Sequence, residues 1–376
     1  MRVLLNTKLL MTSNKAGIGS YVFNLYNELL KAGIDVVPTL SERSFSLVSS
    51  IGSVSSRLRA TFGKFYPPFV RRVGDAVYRH LYQKDTGVSA YDLYHETDLE
   101  LMPAIQTRSV CNIYDLSFER FPEFFLKGFP ERARTVVSAN VAAAERIIVN
   151  TRFIKEEVVE MLKVSEEKID VIPLAASDFY CEGGDSRARP KSLKKITGRD
   201  YILYVGTVEP RKNLKTLIRA YKDVRKKFDL ALVIAGGFGW LYDDIISYPG
   251  ELGLGNDVIF TNYVDDDTVR SLYRCASVFV YPSHYEGFGL PPLEAMLCGT
   301  PVIIADIPPL REVSGDAAIF FNPADHQGLS YAIERVLSSG SLRREMKQKG
   351  IEKASEYSWR KVAADTIRTY EKALNN

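Results

Sequence analysis

The sequence contains few of the features that mark a secreted, membrane-spanning or metal-binding protein. Its four cysteines lie far apart in 376 residues, with no Cys-x-x-Cys pair and no histidine at zinc-ligand spacing. Neither a disulfide framework nor a structural zinc site is indicated. No run of eighteen apolar residues is present, and the N-terminus turns polar too early for a signal peptide. These absences favour a cytoplasmic protein.

Excess charge of one sign is also small. The net charge of +3 is too low to indicate nucleic acid as a partner. Between residues 44 and 90, however, seven basic residues stand against two acidic ones. Within residues 57–84 aromatic and aliphatic side chains interleave with arginines such as Arg71 and Arg72. This pattern indicates either a solvated helix that covers a sheet or a surface lying against anionic lipid at the inner face of the membrane.

The remaining composition is that of a folded α/β protein. Hydrophobic residues make up 46% and charged residues 25% of the chain. At about 150 residues per domain, the length predicts two domains. Apolar stretches of strand length alternate with segments of helical period, which indicates parallel βαβ units. We predict two doubly wound, Rossmann-like domains that face each other across a cleft. The first domain spans residues 1–185 and the second spans residues 199–357, with a linker at 186–198 between them. A last helix at 358–376 is expected to cross back to the first domain.

Twelve strands are predicted from the apolar stretches. In the first half they are Val3–Asn6, Asp35–Leu40, Asp92–His95, Val110–Tyr114, Ile147–Asn150 and Val171–Pro173. In the second half they are Tyr201–Gly206, Ala231–Gly236, Val258–Val264, Val278–Tyr281, Pro301–Ala305 and Ala318–Phe321. Small or polar residues follow several of these strands, as expected for ligand-binding loops at the carboxyl edge of a parallel sheet.

One segment between residues 281 and 296 predicts an anion site. A buried strand is followed by a glycine-containing loop and then by a helix whose first turn contains two prolines. The backbone N–H groups of Phe288, Gly289 and Leu290 are therefore presented at a helix N-terminus, where phosphate commonly binds. Glu286 and Glu294 flank this site. Either carboxylate alone is explained as a solvated residue or a helix-start acid, but together they suit a ligand that carries hydroxyls beside its phosphates, such as a nucleotide-sugar.

A second segment, Gly206 to Leu214, supplies cations in the same half of the chain. A strand ends at Gly206, the loop brings Arg211 and Lys212, and Asn213 is predicted to cap the next helix. Arginine grips phosphate with two parallel N–H groups, and lysine adds a mobile charge, so the pair suits a diphosphate. The alternative is a solvated surface pair.

These two segments resemble the family 4 retaining glycosyltransferases of GT-B fold. The resemblance rests on the Glu-x7-Glu spacing of Glu286 and Glu294 and on the run Gly-Thr-Val-Glu-Pro-Arg-Lys-Asn-Leu, and it extends over nearly the whole chain. It implies that Arg211 and Lys212 bind the diphosphate of the donor and that Glu294 binds its ribose. It also implies that Glu286 binds a hydroxyl of the transferred sugar and that Tyr263 and Val264 lie beside the nucleobase.

The first half contributes a looser set of motifs. Gly17 and Gly19 precede a helix, but Val22 stands where a dinucleotide-binding fingerprint needs its third glycine. By the resemblance, this glycine loop closes over the donor phosphates. The family commonly has His-Asp where this chain has Tyr114 and Asp115. Asp115 is assigned either to an acceptor hydroxyl or to a loop cap. Tyr114 is placed on the acceptor side, where its hydroxyl either keeps a hydrogen bond or no longer contributes. His95 either lines the acceptor side or is a satisfied histidine at a strand end.

The sequence therefore predicts a retaining hexosyltransferase that uses a nucleoside-diphosphate-sugar and no metal or other cofactor. Mannose from a guanosine donor is our choice, and the acceptor is a sugar hydroxyl on a glycan or lipid-linked sugar. Negative charge on the leaving diphosphate is assigned to Arg211 and Lys212, while Asp265 and its two following aspartates suit helix capping better than metal binding. A nucleotide-sugar epimerase and a non-catalytic nucleotide-sugar-binding subunit remain the alternatives.

Overall fold

Two parallel β-sheets form the centres of two α/β domains. The computed structural model describes residues 1–11, 17–39, 91–102, 107–181, 193 and 196–375. The first sheet contains β1 (Arg2–Leu5), β2 (Asp35–Pro38), β3 (Leu93–Glu96), β4 (Arg108–Ile113), β5 (Arg146–Val149) and β6 (Ile169–Val171). The second contains β7 (Tyr201–Val205), β8 (Ala231–Ala235), β9 (Val258–Asn262), β10 (Val278–Tyr281), β11 (Val302–Ala305) and β12 (Ile319–Phe321). The twelve predicted strands are confirmed, with ends that differ by at most two residues.

The helices cover both sheets and close the chain. In order they are α1 (Ile18–Lys31), α2 (Ser117–Arg120), α3 (Phe129–Ala143), α4 (Arg152–Leu162), α5 (Leu214–Val224), α6 (Asp243–Glu251), α7 (Asp266–Cys275), α8 (Leu290–Leu297), α9 (Pro308–Ser314), α10 (His326–Ser338), α11 (Gly340–Ser355) and α12 (Trp359–Asn375). The predicted capping role of Asp265 is confirmed, because its carboxylate accepts a hydrogen bond from the N–H of Thr268 at the start of α7.

The core follows the apolar pattern of the sequence. All five residues of β8 are buried, as expected for a central strand covered by helices on both faces. The helix α5 buries one stripe, with Leu217, Ile218 and Tyr221 fully buried. Truncating one such side chain to alanine costs about 2–5 kcal/mol. Burial of this kind makes the second sheet a rigid support for the loops at its carboxyl edge.

The order of the strands places the crevice of each domain. It is β2-β1-β3-β4-β5-β6 in the first sheet and β12-β11-β10-β7-β8-β9 in the second. The order reverses between β1 and β3 and between β10 and β7, where doubly wound sheets bind their ligands. The last helix, α12, packs against α1 and beside β4 and β5 of the first domain.

Two sequence predictions fall largely beyond what the structure covers. The basic stretch at 57–84 lies outside the described residues, as does most of the predicted linker at 186–198. Within the described ranges, no helix combines the length and the hydropathy needed to cross a bilayer.

Candidate active site

The loops that follow β7 and β10 meet at the point where the strand order of the second sheet reverses. A short 3-10 turn at Pro210–Lys212 follows β7, and the N–H of His284, after β10, donates to the carbonyl of Arg211 at 2.9 Å. Gly206 follows β7 with φ of 150°, and a Cβ there would lie 2.6 Å from the Tyr204 hydroxyl. The positive φ and the close Tyr204 side chain therefore explain this glycine.

Two cations from the loop after β7 reach one carboxylate from the loop after β10. Lys212 Nζ lies 2.6 Å from Glu286 Oε1, and Arg211 Nη1 lies 3.4 Å from Glu286 Oε2. Arg211 also donates to the Tyr285 carbonyl at 3.0 Å and to Glu209 Oε1 at 2.7 Å. The structure thus brings together the three residues that the sequence assigned to the diphosphate and the transferred sugar.

Burial makes the charges of this cluster strongly dependent on one another. Burial alone would raise the pKa of Glu286, but Lys212 and Arg211 lower it to about 2. Burial opposes the charge of Arg211 as well, yet the carboxylates of Glu286, Asp115 and Glu209 raise its pKa above the ordinary value. The pKa of Lys212 is lowered, first by burial and then by the neighbouring Arg211. Glu286 and Arg211 are therefore held in their charged forms.

Glu294 has a very different environment. It lies in α8 and accepts a hydrogen bond from the Tyr273 hydroxyl at 2.9 Å. Burial raises its pKa to about 7, and the hydrogen bond from Tyr273 opposes that rise only in part. The two glutamates of the Glu-x7-Glu spacing thus differ near neutral pH, because the environment of Glu286 favours the ionised form and that of Glu294 favours the protonated form.

The start of α8 has the form that the sequence predicted. Gly289 adopts φ of 103° directly before the helix, and Pro291 and Pro292 fill its first turn. The backbone N–H groups of Phe288, Gly289 and Leu290 donate to no other described residue. Three donors therefore remain at the positive end of a helix dipole, beside the Glu286 loop.

The other residues predicted to bind the donor substrate belong to different loops. Tyr263 and Val264 follow β9, with the Tyr263 side chain 55% exposed and Val264 packed against the core. Gly17, at φ of 62°, precedes α1, and Gly19 is buried in its first turn. Among the described residues, no hydrogen bond joins Gly17 or Gly19 to the loops of the second domain.

The first domain contacts this site directly. The Leu116 N–H donates to the Tyr285 hydroxyl at 3.1 Å, and Thr151 Oγ1 donates to the Gly287 carbonyl at 3.1 Å. A Cβ on Gly287 would lie 1.8 Å from the Tyr114 carbonyl oxygen, so only glycine fits between the domains here. Asp115 accepts from the Ser117 N–H and hydroxyl at 2.9 and 2.6 Å, and it therefore closes a turn directly before α2.

Two acceptor-side assignments change in the structure. His95 has no exposed surface, and its ring nitrogens lie 2.7 Å from the Tyr370 hydroxyl and 2.8 Å from Asn112 Oδ1. Burial lowers its pKa to about 4. His95 therefore fits the alternative that the sequence left open, a satisfied histidine at a strand end, and does not line the acceptor side, because the ring is enclosed by the core and α12. The Tyr114 hydroxyl donates to the Thr97 carbonyl at 2.9 Å and is therefore engaged within the first domain.

The role of Asn213 is also corrected. It stands before α5, but its side chain accepts no backbone N–H there. Its amide instead donates to the carbonyls of Pro282 and Pro323, both at 2.9 Å. Asn213 therefore ties the loop after β7 to the loop after β10 rather than capping the helix.

Sequence reasoning missed several residues that shape the site. Glu209 is 1% exposed and holds Arg211, while Tyr285 donates its hydroxyl to Glu157 of the first domain. Glu312, in α9, accepts the N–H of Arg152 at the start of α4. The position of Glu209 two residues before Arg211 was a usable signal, whereas contacts between domains leave no local pattern. Among the described side chains, no group of three or more His, Cys, Asp or Glu is arranged to hold a metal ion.

Comparison with known proteins agrees with this architecture. Residues 185–353 match the family described as glycosyl transferases group 1. The O-antigen chain mannosyltransferase B of Escherichia coli is 29% identical over 376 residues, which covers 94% of this chain and 96% of that protein.

Solved structures extend the likeness to both domains. The sucrose-phosphate synthase of Thermosynechococcus elongatus has a TM-score of 0.75 at 20% identity and covers 98% of each chain. HepE of Anabaena, solved in complex with UDP-glucose, has a TM-score of 0.71 at 14% identity and covers 98% of this chain and 99% of its own. The predicted fold, two doubly wound domains in the GT-B arrangement, is confirmed.

Proposed function

We propose that this chain, a glycosyltransferase of GT-B fold with a group 1 domain at residues 185–353, transfers mannose from GDP-mannose to a sugar hydroxyl of a glycan or lipid-linked acceptor. One observation carries the proposal: Arg211 and Lys212 form ion pairs with Glu286 beside the unbonded backbone N–H groups at the start of α8. A nucleoside-diphosphate-sugar supplies phosphate for the cations and hydroxyls for the carboxylate. Similarity to an O-antigen chain mannosyltransferase supports mannose and a polysaccharide product.

The proposed reaction breaks the bond between sugar C1 and the diphosphate oxygen. Negative charge then builds on the leaving diphosphate, where Arg211, Lys212 and the N–H groups before α8 stabilise it. The acceptor oxygen bonds to C1 on the same face, and its proton passes to the departing phosphate. The configuration at C1 is retained, and these protein groups fulfil the charge-stabilising role that a metal ion has in other transferases.

The remaining roles in the proposal are those that the family resemblance implies. Glu294 accepts from the ribose, Tyr263 and Val264 border the nucleobase, and the loop at Gly17 and Gly19 closes over the phosphates. Asp115, near Arg211 on the opposite side of the cleft, orients the acceptor hydroxyl with the carboxylate oxygen that does not bond to Ser117.

A panel of nucleotide-sugars tests the proposal. The protein is incubated with GDP-mannose, UDP-glucose, UDP-galactose and UDP-N-acetylglucosamine in excess chelator, and free nucleoside diphosphate is measured. We expect slow release of GDP from GDP-mannose, which rises when a mannoside acceptor is added. A changed nucleotide-sugar without free diphosphate would identify an epimerase instead. Binding without any release would favour a non-catalytic subunit.

Peripheral association with anionic lipid remains a second, separate proposal. It depends on residues 57–84, which lie outside the described part of the chain. If the acceptor is lipid-linked, such a surface would bring the cleft to the membrane where the acceptor is held.

A further inference from the structure

Aromatic side chains from both domains contact one another where two loops meet. One group follows β4, where a short turn at Pro122–Phe124 leads into α3, and the other follows β8. The Trp240 indole N–H donates to the Phe124 carbonyl at 2.6 Å. We call Phe124, Phe125, Phe129, Trp240 and Leu241 the aromatic ledge.

The rings of the aromatic ledge lie nearly parallel. Phe125 stacks on Trp240 with 5.5 Å between ring centres and 26° between planes, and on Phe129 with 5.0 Å and 13°. Phe124 stacks on His284 in the same manner, at 5.6 Å and 21°. Since the backbone N–H of His284 donates to the Arg211 carbonyl, one end of the aromatic ledge adjoins the loop that carries Arg211.

The outer part of the aromatic ledge is exposed and strained. Phe129 is 37% exposed and Leu241 is 49% exposed, as is the neighbouring Leu126 at 55%. Leu241 also adopts φ of 52°, a left-handed conformation that is unfavourable for a branched aliphatic residue. A large apolar side chain held at the surface in a strained backbone marks a place where a ligand or partner binds.

The charge around the aromatic ledge restricts what that ligand is. Exposed acids outnumber exposed bases by one on its flanks, which carry the acids Glu123, Glu131, Asp243 and Asp244 and the bases Lys127, Arg132 and Lys215, the last paired with Asp244. An excess of acid repels anionic lipid and nucleic acid. A neutral oligosaccharide suits this surface better, because the C–H face of a hexose packs on aromatic rings while its hydroxyls contact the polar rim.

We propose that the aromatic ledge binds the acceptor glycan through sugar units remote from the reacting hydroxyl. The inference rests on the proposed function, because it takes the Arg211 loop as the place where the donor reacts. It makes the preferred acceptor an oligosaccharide chain rather than a single sugar. Longer acceptors reach the aromatic ledge, whereas a monosaccharide fills only the reacting position.

The chain provides its own reporter for this binding. Its two tryptophans are Trp240 and Trp359, and Trp359 is 7% exposed in α12. In a Trp359→Phe background, Trp240 fluorescence is recorded during titration with methyl mannoside and with manno-oligosaccharides of two to five units, without donor. We expect a saturable change in emission and an affinity at least tenfold higher for the tetramer than for the methyl glycoside.

Two variants separate the aromatic ledge from the fold. Leu241→Gly relieves the positive φ, so its thermal midpoint should not fall, yet it should bind the tetramer about fivefold more weakly. Phe129→Ala should show a similar loss of affinity. Tyr331→Ala, which removes a 70% exposed aromatic ring from α10 in the second domain, is the matched control and should bind like the parent.

The outcomes distinguish this inference from the proposed function. Gluco- and galacto-oligosaccharides are titrated as well, so that a different sugar is detected. A Trp240 response without release of diphosphate from any donor would support the aromatic ledge and contradict the proposed transfer. Release of GDP from GDP-mannose without a Trp240 response to any oligosaccharide would overturn the aromatic ledge alone. A response to anionic vesicles instead of oligosaccharides would also overturn it, in favour of a lipid surface.

Discussion

Charge at single residues determines what the proposed donor site can bind. Glu286 stays ionised because Lys212 and Arg211 lie 2.6 and 3.4 Å from its oxygens. The same pairing orients both cations before the donor arrives. A diphosphate that enters finds preformed donors rather than flexible surface side chains, which lowers the cost of reorganisation.

Removing Arg211 should reduce turnover strongly. Arg211→Ala loses a charge-assisted contact to the leaving diphosphate, worth roughly 1.5–3 kcal/mol, so kcat/KM should fall about 10- to 100-fold. The thermal midpoint should fall too, because buried Glu209 loses its ion-pair partner. Steady-state kinetics at 25 °C with Arg219→Ala, an exposed arginine of α5, as the control checks this. Equal kcat/KM in both variants would remove Arg211 from the site.

The raised pKa of Glu294 predicts a pH effect on stability. Its pKa is about 7 in the folded protein against an ordinary value of 4.5, so the fold favours the protonated acid and loses stability as the pH rises from about 4.5 to 7. Glu294→Gln resembles the protonated form and removes this loss. Relative to the parent, the variant should therefore gain stability with rising pH across that window.

Urea unfolding at pH 5 and pH 8 measures the effect. The difference in free energy of unfolding between variant and parent should be larger at pH 8, while the Michaelis constant for the donor rises because a neutral amide accepts more weakly from ribose hydroxyls. A difference that does not depend on pH would mean that Glu294 titrates as an ordinary surface acid.

The residues show how far sequence reasoning extends. Arg211, Lys212 and Glu286 were identified as one group because their residue types and spacings suit a single ligand, and the structure brings them together. The sequence left two positions open for His95, since a histidine at a strand end has the same local pattern whether its ring faces a cleft or the core. The partners that enclose it, Tyr370 and Asn112, lie 275 and 17 residues away in the sequence.

At the scale of elements, strands were easier to predict than the side-chain contacts at the ends of helices. A continuous apolar run such as β8 is stable only when it is buried between helices, so the run itself predicts a central strand. The start of α5 at Leu214, directly after Asn213, agrees with the prediction, but the side chain of Asn213 donates to two loop carbonyls instead of capping the helix. The local sequence does not show which of its distant partners a side chain will bond to.

The N-terminus of α4 predicts a stabilising contact between domains. Glu312 of α9 accepts the Arg152 N–H at 2.9 and 3.0 Å, which caps a helix of the first domain with a carboxylate of the second. Glu312→Ala should therefore lower the free energy of unfolding by about 0.5–2 kcal/mol and favour open arrangements of the two domains.

Small-angle scattering and urea unfolding test this contact together. The radius of gyration of Glu312→Ala should exceed that of the parent, whereas Glu345→Ala, which removes an exposed acid from α11, should change neither quantity. Unchanged scattering in the Glu312 variant would show that this cap does not hold the domains together.

For the whole molecule, the domain interface is what the sequence leaves undetermined. Gly287 contacts the Tyr114 carbonyl, and Thr151 bonds to Gly287 across the cleft, yet neither residue differs locally from an ordinary loop or cap residue. The number of domains and their internal order follow from length and alternating pattern. Their mutual packing depends on side chains that are more than a hundred residues apart.

The central claim is that protein cations and helix N–H groups form the diphosphate site without a metal. Calorimetric titration of GDP in excess chelator tests it most directly, with the parent chain, Lys212→Ala, and Lys215→Ala as an exposed lysine control from α5. We expect the parent and the control to bind GDP equally and Lys212→Ala to bind it about 10- to 100-fold more weakly. GDP binding that appears only after magnesium or manganese is restored, or equal affinity in all three proteins, would contradict the account.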